Sequence, residues 1–428
     1  MLSRFISDYG MVFVLLGLCA WFSWVTMADQ HPMGAAAGAQ LARELRDKGG
    51  VLVIVRDTPE DAQFADAIER SLAAQMIGTV KGQPADARRA VEQYRGKISV
   101  IACNQVTANW AVFDGAIPIA KPHSYRWPNF LKRENLLNIA NQIAVIAIVA
   151  IGMTMVIITR GIDLSVGSLI ALAAVVTTLL IRDRAGAEHA SAAAMTVSAV
   201  GGIALCGFIG FLSGVLVTYF AVPAFIATLG MMLVASGLAF IVAKGQSIYQ
   251  VPDAFIWLGR GEVFGIPNAV WLMAALYLLA HILMTHTAHG RYIYAVGGNP
   301  EAARFSGVPV NRVLLFVYVL SGALAGLGGV IMASQLKSGA PTYGVMYELF
   351  VIAAAVVGGT SLAGGQGKIL GTLIGAFIIA VIQNGMNLTG VESYTQKVVL
   401  GLVILGAVMV DIMKKRGWEK YLRRGGKV

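Results

Sequence analysis

The stretch AIGMTMVIITRGIDLSVGSLIALAAVV, at residues 150–176, decides the class of fold. It consists of two apolar runs joined by a short polar turn, and neither run alternates apolar with polar residues. Continuous runs near the roughly 20 residues that cross the hydrocarbon predict membrane helices and not the strands of a closed barrel. Working outward with a window of about 19 residues, ten such runs lie at roughly 11–28, 139–159, 164–181, 196–220, 224–243, 269–288, 312–334, 346–360, 368–385 and 397–412. The sequence therefore predicts an all-α polytopic membrane protein with about ten transmembrane helices.

The composition agrees with a chain that lies mostly in lipid. Of its 428 residues, 57% are hydrophobic and 13% are charged, whereas soluble domains have a charged fraction of about a quarter. The mean hydropathy is +0.70. So much apolar surface excludes a water-soluble enzyme, a disordered scaffold and a nucleic-acid protein that is merely basic. Residues 1–28 share a polar start and an apolar run with signal peptides, but no small-x-small cleavage site follows, so we expect an uncleaved first transmembrane helix.

Basic residues orient the predicted helices, since Lys and Arg accumulate in short cytoplasmic segments. With the N-terminus inside, ten crossings return the C-terminus to the cytoplasm, together with the basic tail at 413–428. The loop at 290–312 also falls inside, whereas Arg182 and Arg184 lie in a short outer loop and are exceptions. We therefore expect a multi-pass protein whose N- and C-termini are both cytoplasmic.

Residues 29–124 differ in kind from the rest, because they are mostly polar and carry charges of both signs. Helix-like segments alternate there with apolar strand-like ones, such as VLVIVR at 51–56 and KISVIACN at 97–104. This alternation predicts a small α/β domain with a partly parallel sheet, inserted after the first transmembrane helix. By the orientation above, this insert is extracytoplasmic.

The polar turn of the opening stretch contains Asp163, Ser165 and Ser168 at the start of an apolar helix. Side-chain oxygens at such a position satisfy free N–H groups of the helix, which is especially valuable near lipid. Ionisable residues near the membrane core are also often functional, and this favours a gate at the edge of a substrate path. Both interpretations, helix cap and gate, stay open from the residues alone.

The loop GRYIYAVGGNPEAARFSGVPVNR, at 290–312, predicts a short helix of its own. Asn299 is a good N-cap, Pro300 suits the first helical position, and Glu301 favours the positive end of the helix dipole. Gly307 would end the helix two turns later. The loop is either a plain connector or a docking surface on which Arg304 binds a charged partner.

Several kinds of chemistry lack their motifs in this sequence. The G-x-x-x-x-G-K-[ST] phosphate loop is absent, since Gly367 and Lys368 are followed by Ile369 and preceded at the required spacing by Leu362. The metalloprotease motif H-E-x-x-H is absent as well. We therefore expect no catalytic residue, no metal site and no cofactor in this chain, and any ATPase that drives it must be another protein.

Five segments together resemble the integral membrane permease of a bacterial ABC importer for monosaccharides, and most of all the ribose-type permeases. They are AIGMTMVIITRGIDLSVGSLIAL, PAFIATLGMML, GRYIYAVGGNPEAARFSGV, YELFVIAAAVVGGTSLAGGQGKILGTLIGA and QNGMNLTGV. The resemblance covers approximately 125–412 and implies a permease core with nine further transmembrane helices in the bacterial inner (plasma) membrane. It also implies a second permease chain, identical or sister, cytoplasmic ABC ATPase subunits that hold ATP and Mg, and an extracytoplasmic sugar-binding protein.

The same resemblance assigns a role to the 290–312 loop and marks two departures. Its helix would be the coupling helix that docks in a groove of the ATPase, with matching residues Gly297, Gly298, Asn299, Glu301, Ala302, Arg304 and Gly307. Arg160 stands where relatives usually have a small or uncharged residue. Phe350 stands after Glu348 where relatives usually have an acid, which leaves the identity of the substrate open.

A permease needs a polar path through an otherwise dry bundle, and neutral hydrogen-bonding groups suit a neutral sugar better than buried charges do. Each polar group inside the bundle also has the alternative role of joining two helices. The candidates for the path are Asn141, Gln142, Thr154, Thr228, Ser334, Gln335, Glu348, Gln383, Asn384 and Asn387.

Part of the insert resembles one lobe of a periplasmic sugar-binding protein, in the segments GQPADARRAVEQY and ISVIACNQVTANWAVF. A domain at 29–124 is too small for the two lobes that close around a sugar. It is either a degenerate lobe that docks with the delivery protein or replaces part of it, or a structural cap. Alternatives for the whole chain are a permease for a branched-chain amino acid or an autoinducer-type sugar, and a membrane-anchored sensing scaffold. An intramembrane enzyme is the weakest alternative, since the sequence shows no catalytic constellation.

Overall fold

The computed structural model of the protein describes residues 2–113, 115 and 117–416. The chain divides into two compact units: a helical unit of Met1–Thr26 with Phe130–Val428, and an insert unit of Met27–Asn129. Of the predicted basic tail at 413–428, residues 417–428 lie outside the described residues.

Helices make up most of the described chain. They are α1 Leu2–Val25, α2 Gly34–Glu44, α3 Pro59–Leu72, α4 Pro84–Gln93, α5 Arg133–Ile158, α6 Val166–Arg184, α7 Ala192–Thr218, α8 Ala224–Val242, α9 Trp257–Arg260, α10 Asn268–His286, α11 Ala288–Gly298, α12 Pro300–Phe305, α13 Val310–Leu336, α14 Tyr347–Val357, α15 Ile369–Leu388 and α16 Ser393–Arg416. Short 3-10 helices lie at Thr107–Asn109, Ala187–His189 and Asp253–Ile256.

Seven helices of the described chain are long and apolar enough to cross a membrane: α5, α6, α7, α8, α10, α13 and α15. Shorter apolar helices lie at Gly10–Val25, Tyr347–Val357 and Ser393–Gly406. A helix satisfies its own backbone hydrogen bonds, so these apolar segments suit the interior of a bilayer. The polytopic helical class is confirmed, and the count of ten crossings stays a prediction.

The helices of the helical unit differ widely in how much of their surface is covered. In α5, 89% of the most apolar window is buried, whereas the corresponding fraction in α8 is 22%. An apolar helix that is covered all round belongs in the centre of a bundle, and one left bare belongs at its periphery. α5 is therefore the central helix around which a polar path has to be sought.

Small residues bring α7 and α13 close together. A Cβ built on Gly210 would lie 2.3 Å from the Tyr318 carbonyl oxygen, and one on Gly322 would lie 2.3 Å from the Cys206 carbonyl oxygen. Neither position has room for a methyl group, so the two backbones are in direct contact. Small residues at such positions allow helix backbones to approach closely in lipid.

The insert unit contains a four-stranded parallel sheet in the order β3-β2-β4-β5. The strands are β1 Met27–Gln30, β2 Val51–Val55, β3 Met76–Lys81, β4 Val100–Cys103, β5 Ile119–Ala120 and β6 Tyr125–Pro128, and β1 pairs antiparallel with β6. The helical unit adds the short pair β7 Glu262–Val263 and β8 Ile266–Pro267. In register, Val53 of β2 lies opposite Thr79 of β3 and Ala102 of β4.

Both faces of this sheet are covered by helices. Leu41 of α2 and Phe64 of α3 pack with Val53 on one face, and Ala87 of α4 packs with Ile54 on the other. A strand buried on both faces is apolar at every position, which explains the continuous run VLVIV. The strands expected from 51–56 and 97–104 are present, whereas β3, which is only half-buried, lacks an apolar signal in the sequence.

Candidate functional site

A cavity of about 250 Å³ lies in the helical unit among α5, α13, α14 and α15. It lies toward the end of the bundle at which α5 and α14 begin and α13 and α15 end. The residues around it combine apolar side chains with three glutamine amides and one tyrosine, and none of them is charged. The lining consists of Ile139, Gln142, Ile143, Ile146, Met332, Gln335, Leu336, Tyr347, Ala380 and Gln383.

Two of the three amides are available to a solute. Among the residues described, the side chains of Gln142 and Gln383 make no hydrogen bond to protein, whereas Gln335 Nε2 donates to the Asn141 carbonyl oxygen at 3.1 Å. Asn141 Nδ2 in turn donates to the Gly259 carbonyl oxygen at 3.3 Å. Asn141 thus fixes the orientation of the Gln335 side chain. The amides of Gln142 and Gln383 leave free hydrogen-bond donors and acceptors on an otherwise apolar wall of the cavity.

Three other residues predicted for the path join helices instead. Thr154 Oγ1 lies 2.7 Å from Thr372 Oγ1, which links α5 to α15. Thr228 Oγ1 donates to the Ile162 carbonyl oxygen at 3.0 Å, which links α8 to the polar turn. Ser334 Oγ donates to the Phe255 carbonyl oxygen at 2.6 Å. All three side chains are buried, and none of them lines the cavity.

The remaining path candidates lie around the cavity but outside its lining. Asn384 exchanges two amide hydrogen bonds with Asn135, at 2.8 and 3.0 Å, and so ties α15 to α5. Asn387 accepts a hydrogen bond from Gln396 Nε2 at 2.7 Å. These amides already have partners, so they support the helices more than they offer groups to a solute.

Glu348 and Phe350 both lie on the first turn of α14 but contact different parts of the helical unit. A Cβ on Gly167 would lie 2.2 Å from Glu348 Oε2, so this carboxyl group rests against the N-terminal turn of α6, where the helix dipole favours negative charge. The ring of Phe350 packs edge-on against Tyr347, with ring centroids 6.5 Å apart. Phe350 thus packs against Tyr347, a residue that lines the cavity.

Buried hydrogen bonds hold the polar turn between α5 and α6 in place. Asp163 is buried, and its Oδ1 accepts hydrogen bonds from Ser165 N at 3.0 Å and from Ser165 Oγ at 2.6 Å. Its Oδ2 accepts a hydrogen bond from Ser321 Oγ at 2.8 Å, which joins the start of α6 to α13. Ser168 is half-buried one turn further along. Ser165, the N-cap of α6, makes no side-chain capping hydrogen bond, so the helix cap and the gate both stay predictions.

The 290–312 loop forms the short helix expected from its sequence. Asn299 Oδ1 accepts hydrogen bonds from Glu301 N at 3.0 Å and Ala302 N at 3.1 Å, and Pro300 is the first residue of α12. The helix ends before Gly307, whose φ of 83° lies in the left-handed region that favours glycine. Local capping therefore determines both ends of α12, as predicted.

α12 presents an amphipathic surface to the outside of the helical unit. Ala303 is buried, whereas Glu301, Ala302 and Arg304 are exposed. Phe305, which the sequence pattern did not single out, is 91% exposed. A bare aromatic ring beside exposed charges is typical of an interface anchor, and the available signal was an aromatic residue within a polar loop.

The structure shows no metal site in its described part: no cluster of three or more His, Cys, Asp or Glu side chains is placed to hold an ion.

Comparison with known proteins assigns a family to the helical unit. The family described as branched-chain amino acid transport system / permease component matches residues 135–408. That range runs from α5 into α16 and leaves the insert unit outside the match.

Three relatives show how close the similarity is. The ribose import permease protein of Escherichia coli strain K12 is 47% identical over 292 residues, which are 67% of this chain and 88% of the relative. The ribose import permease protein of Bacillus subtilis strain 168 is 42% identical over 289 residues, covering 67% and 87%. The L-arabinose transport system permease protein of Escherichia coli strain K12 is 36% identical over 289 residues, covering 68% and 86%. No solved structure matches the chain.

Proposed function

The chain belongs to the family of branched-chain amino acid transport system permease components, and from this premise we propose that it forms the pathway of an ATP-driven ABC importer for a monosaccharide, ribose or another pentose. It is a transport subunit and not an enzyme. The observation that carries the choice of a sugar is the uncharged cavity with free glutamine amides.

The lining of the cavity also discriminates between a sugar and an amino acid. A sugar carries hydroxyl groups that donate and accept hydrogen bonds, as an amide does, and it has no charge to neutralise. An amino acid carries an ammonium and a carboxylate, which are costly to bury without a charged or helix-end partner. Because all ten lining residues are uncharged, the cavity supports the sugar over the branched-chain amino acid.

We place both termini and α12 on the cytoplasmic side and the insert unit on the extracytoplasmic side. The basic tail and the loop at 290–312 support this orientation. The amide cavity, at the opposite end of α5 from the α12 loop, then opens toward the outside and receives sugar from a binding protein. A second permease chain and the cytoplasmic ATPases complete the transporter, and ATP and Mg are bound by the ATPases.

α12 is proposed to dock on the ATPase through its exposed face. Hydrolysis in the ATPase would move this helix and switch the pathway between outward- and inward-facing states. The test is sugar-stimulated ATP hydrolysis by the chain reconstituted with its neighbouring ATPase and binding protein, across a panel of pentoses and hexoses. We expect stimulation by one sugar and its loss in the double variant Glu301→Ala/Arg304→Ala.

The outcomes of this experiment separate the candidate functions. Stimulation by an amino acid in place of every sugar would select the alternative solute. A complex that assembles and hydrolyses ATP but responds to no solute would move substrate recognition elsewhere. A chain that associates with no ATPase would contradict the importer and favour the sensing scaffold.

The cavity itself is tested by removing its free amides. Gln383→Leu keeps the approximate volume of the side chain but removes the hydrogen-bonding group, so we expect the KM for sugar transport to rise about tenfold, the equivalent of 1.4 kcal/mol. Thr154→Val is the matched control, because Thr154 joins α5 to α15 away from the cavity. A KM that stays unchanged in Gln383→Leu would remove this cavity from the pathway.

For the insert unit we propose a docking lobe for the sugar-binding protein. At the carboxyl ends of its parallel strands, where such sheets bind ligands, most of the polar side chains are paired with one another, although Asn104 Nδ2 is buried and has no partner among the described residues. Arg56 Nε donates to Asp61 at 2.9 Å, and Asn104 Oδ1 accepts from Thr107 N at 2.9 Å. This pairing supports protein docking over sugar binding. If the full chain lacking Met27–Asn129 keeps the affinity of the wild type for the binding protein, the unit is a structural cap.

A further inference from the structure

Arg160 has an unusual backbone conformation for its residue type. It follows Thr159, the C-cap of α5, and its φ of 66° lies in the left-handed region. The residue at this position of a helix end is usually glycine, because a side chain strains the backbone there. An arginine in such a place suggests that its side chain makes contacts that outweigh the strain.

The guanidinium of Arg160 binds the end of α11. Its Nε donates to the Gly297 carbonyl oxygen at 2.7 Å, and its Nη2 donates to the Gly298 carbonyl oxygen at 2.5 Å. The last carbonyls of a helix lack partners within the helix and carry its negative dipole end, so a forked cation suits them. The next residue, Asn299, is the N-cap of α12. Arg160 therefore holds the chain one residue before the N-cap of α12.

The glycine-rich turn before α15 closes the same junction. Gly365 N donates to the Ile158 carbonyl oxygen at 2.8 Å. A Cβ on Gly364 would lie 2.2 Å from Arg160 Cγ, and one on Gly297 would lie 1.8 Å from the Ile158 carbonyl oxygen. The end of α5, the end of α11 and this turn are thus in direct contact.

Two helices run from this junction to the amide cavity. The 26 residues of α5 span about 39 Å at 1.5 Å per residue, with Arg160 just past one end and Gln142 toward the other. α15 begins just after the turn, which Tyr294 of α11 also holds by donating its OH to the Gly367 carbonyl oxygen at 2.7 Å. Gln383 lies toward the far end of α15.

We propose that Arg160 is a positioning residue that transmits the movement of α12 to α5, and so couples the ATPase-docking helix to the amide cavity. This inference rests on the proposed docking of α12 on the ATPase. Arg160 does not contact the sugar or the ATP, and it acts through the carbonyls of Gly297 and Gly298. Without its guanidinium, α12 can still dock, but its movement no longer reaches the pathway.

The test compares three substitutions in the full transporter in proteoliposomes. Arg160→Asn removes the guanidinium with a residue that tolerates the left-handed region, and Arg160→Lys keeps the charge but has no fork to bind two carbonyls. Arg291→Asn is the matched control, because Arg291 is an exposed arginine of α11 outside the junction. The measurements are the affinity for the ATPase, the thermal midpoint of the permease and the number of sugars transported per ATP hydrolysed.

We expect Arg160→Asn to bind the ATPase as the wild type does and to hydrolyse ATP, while sugars transported per ATP fall at least about fivefold, within the range of typical coupling energies. Arg160→Lys should lie between the wild type and Arg160→Asn, and Arg291→Asn should match the wild type. An unchanged ratio in Arg160→Asn and Arg160→Lys would overturn the inference. The inference would also be overturned if the number of sugars transported per ATP fell only as far as the affinity for the ATPase or the thermal midpoint of the permease fell. If the wild-type chain itself bound no ATPase, the proposed function would fail first, before any variant was compared.

Discussion

Adjacent glycines at the end of α11 provide the sharpest test of the junction between α5, α11 and the turn before α15. A methyl group added at Gly297 would lie 1.8 Å from the Ile158 carbonyl oxygen and 2.7 Å from Gly365 N. The same methyl group at Gly298 would meet nothing within 4 Å. Gly297→Ala and Gly298→Ala are therefore the same chemical change one residue apart, with opposite surroundings.

The size of the effect at Gly297 follows from these distances. Both clashing atoms belong to the backbone, so no side-chain rotation relieves them, and the cost should lie at the upper end of the range for overpacking, about 3 kcal/mol. Separation of the segments also breaks the hydrogen bond from Gly365 N to the Ile158 carbonyl oxygen, at 2.8 Å, which contributes about 1 kcal/mol. Replacing a helical glycine by alanine in itself stabilises the folded state by about 1 kcal/mol. The net destabilisation should be about 3 kcal/mol.

The assay is the unfolding of the purified full chain in detergent micelles, with the two variants measured beside the wild type. We expect a clear fall in the unfolding midpoint for Gly297→Ala. The Gly298→Ala variant should be as stable as the wild type or more stable by up to about 1 kcal/mol. Equal midpoints for the two variants would refute the close contact between α11 and the end of α5. A Gly298→Ala variant that is the less stable of the two would refute it as well.

Two further predictions concern α12 and the insert unit. Phe305→Ser should weaken ATPase binding about 30-fold, the equivalent of 2 kcal/mol for an interface anchor. The control Phe264→Ser changes an equally exposed ring in the β7–β8 turn and should leave ATPase binding unchanged. Equal affinities of the two variants would show that Phe305 is no anchor. Burial raises the pKa of Asp61, but the hydrogen bonds from Arg56 outweigh this effect, so the pKa lies below its usual range. The Arg56–Asp61 pair therefore stabilises the folded state above about pH 4, and this stabilisation is lost as the pH falls through the lowered pKa. Asp61→Asn should therefore reduce the hydrogen-exchange protection of β2 at pH 7 and match the wild type in acid, and a difference that persisted in acid would contradict this.

Some features of the site could be predicted from the sequence because they depend on neighbours along the chain. The start of α12 at Asn299 and its end before Gly307 follow from a cap whose bonds reach only two or three residues. The apolar runs predicted the membrane helices for the same reason, since a run of hydrophobic residues needs no distant partner to be recognised. The motifs of the permease family likewise follow the order of the sequence.

The lining of the cavity could not be predicted in this way. Gln142, Thr154 and Gln383 all stand in apolar helices and look alike as polar residues inside a run, yet only the two glutamines line the cavity. Which side of a helix meets a cavity depends on how that helix is rotated against its neighbours, and local sequence carries little of that information. The strand β3 was missed for a related reason, because its half-buried residues have no continuous apolar pattern.

By itself, the sequence determined that this protein is a helical membrane permease and where its local caps lie, because hydropathy and capping act within a few residues of the chain. Only the tertiary structure decided which amides meet around a cavity and that Arg160 holds the chain before α12. The contact of Gln335 with Asn141 joins residues 194 positions apart, and that of Arg160 with Gly297 joins residues 137 positions apart. Contacts across such separations exist only after the helices have packed, and it is this packing that places the cavity and the junction at the two ends of α5.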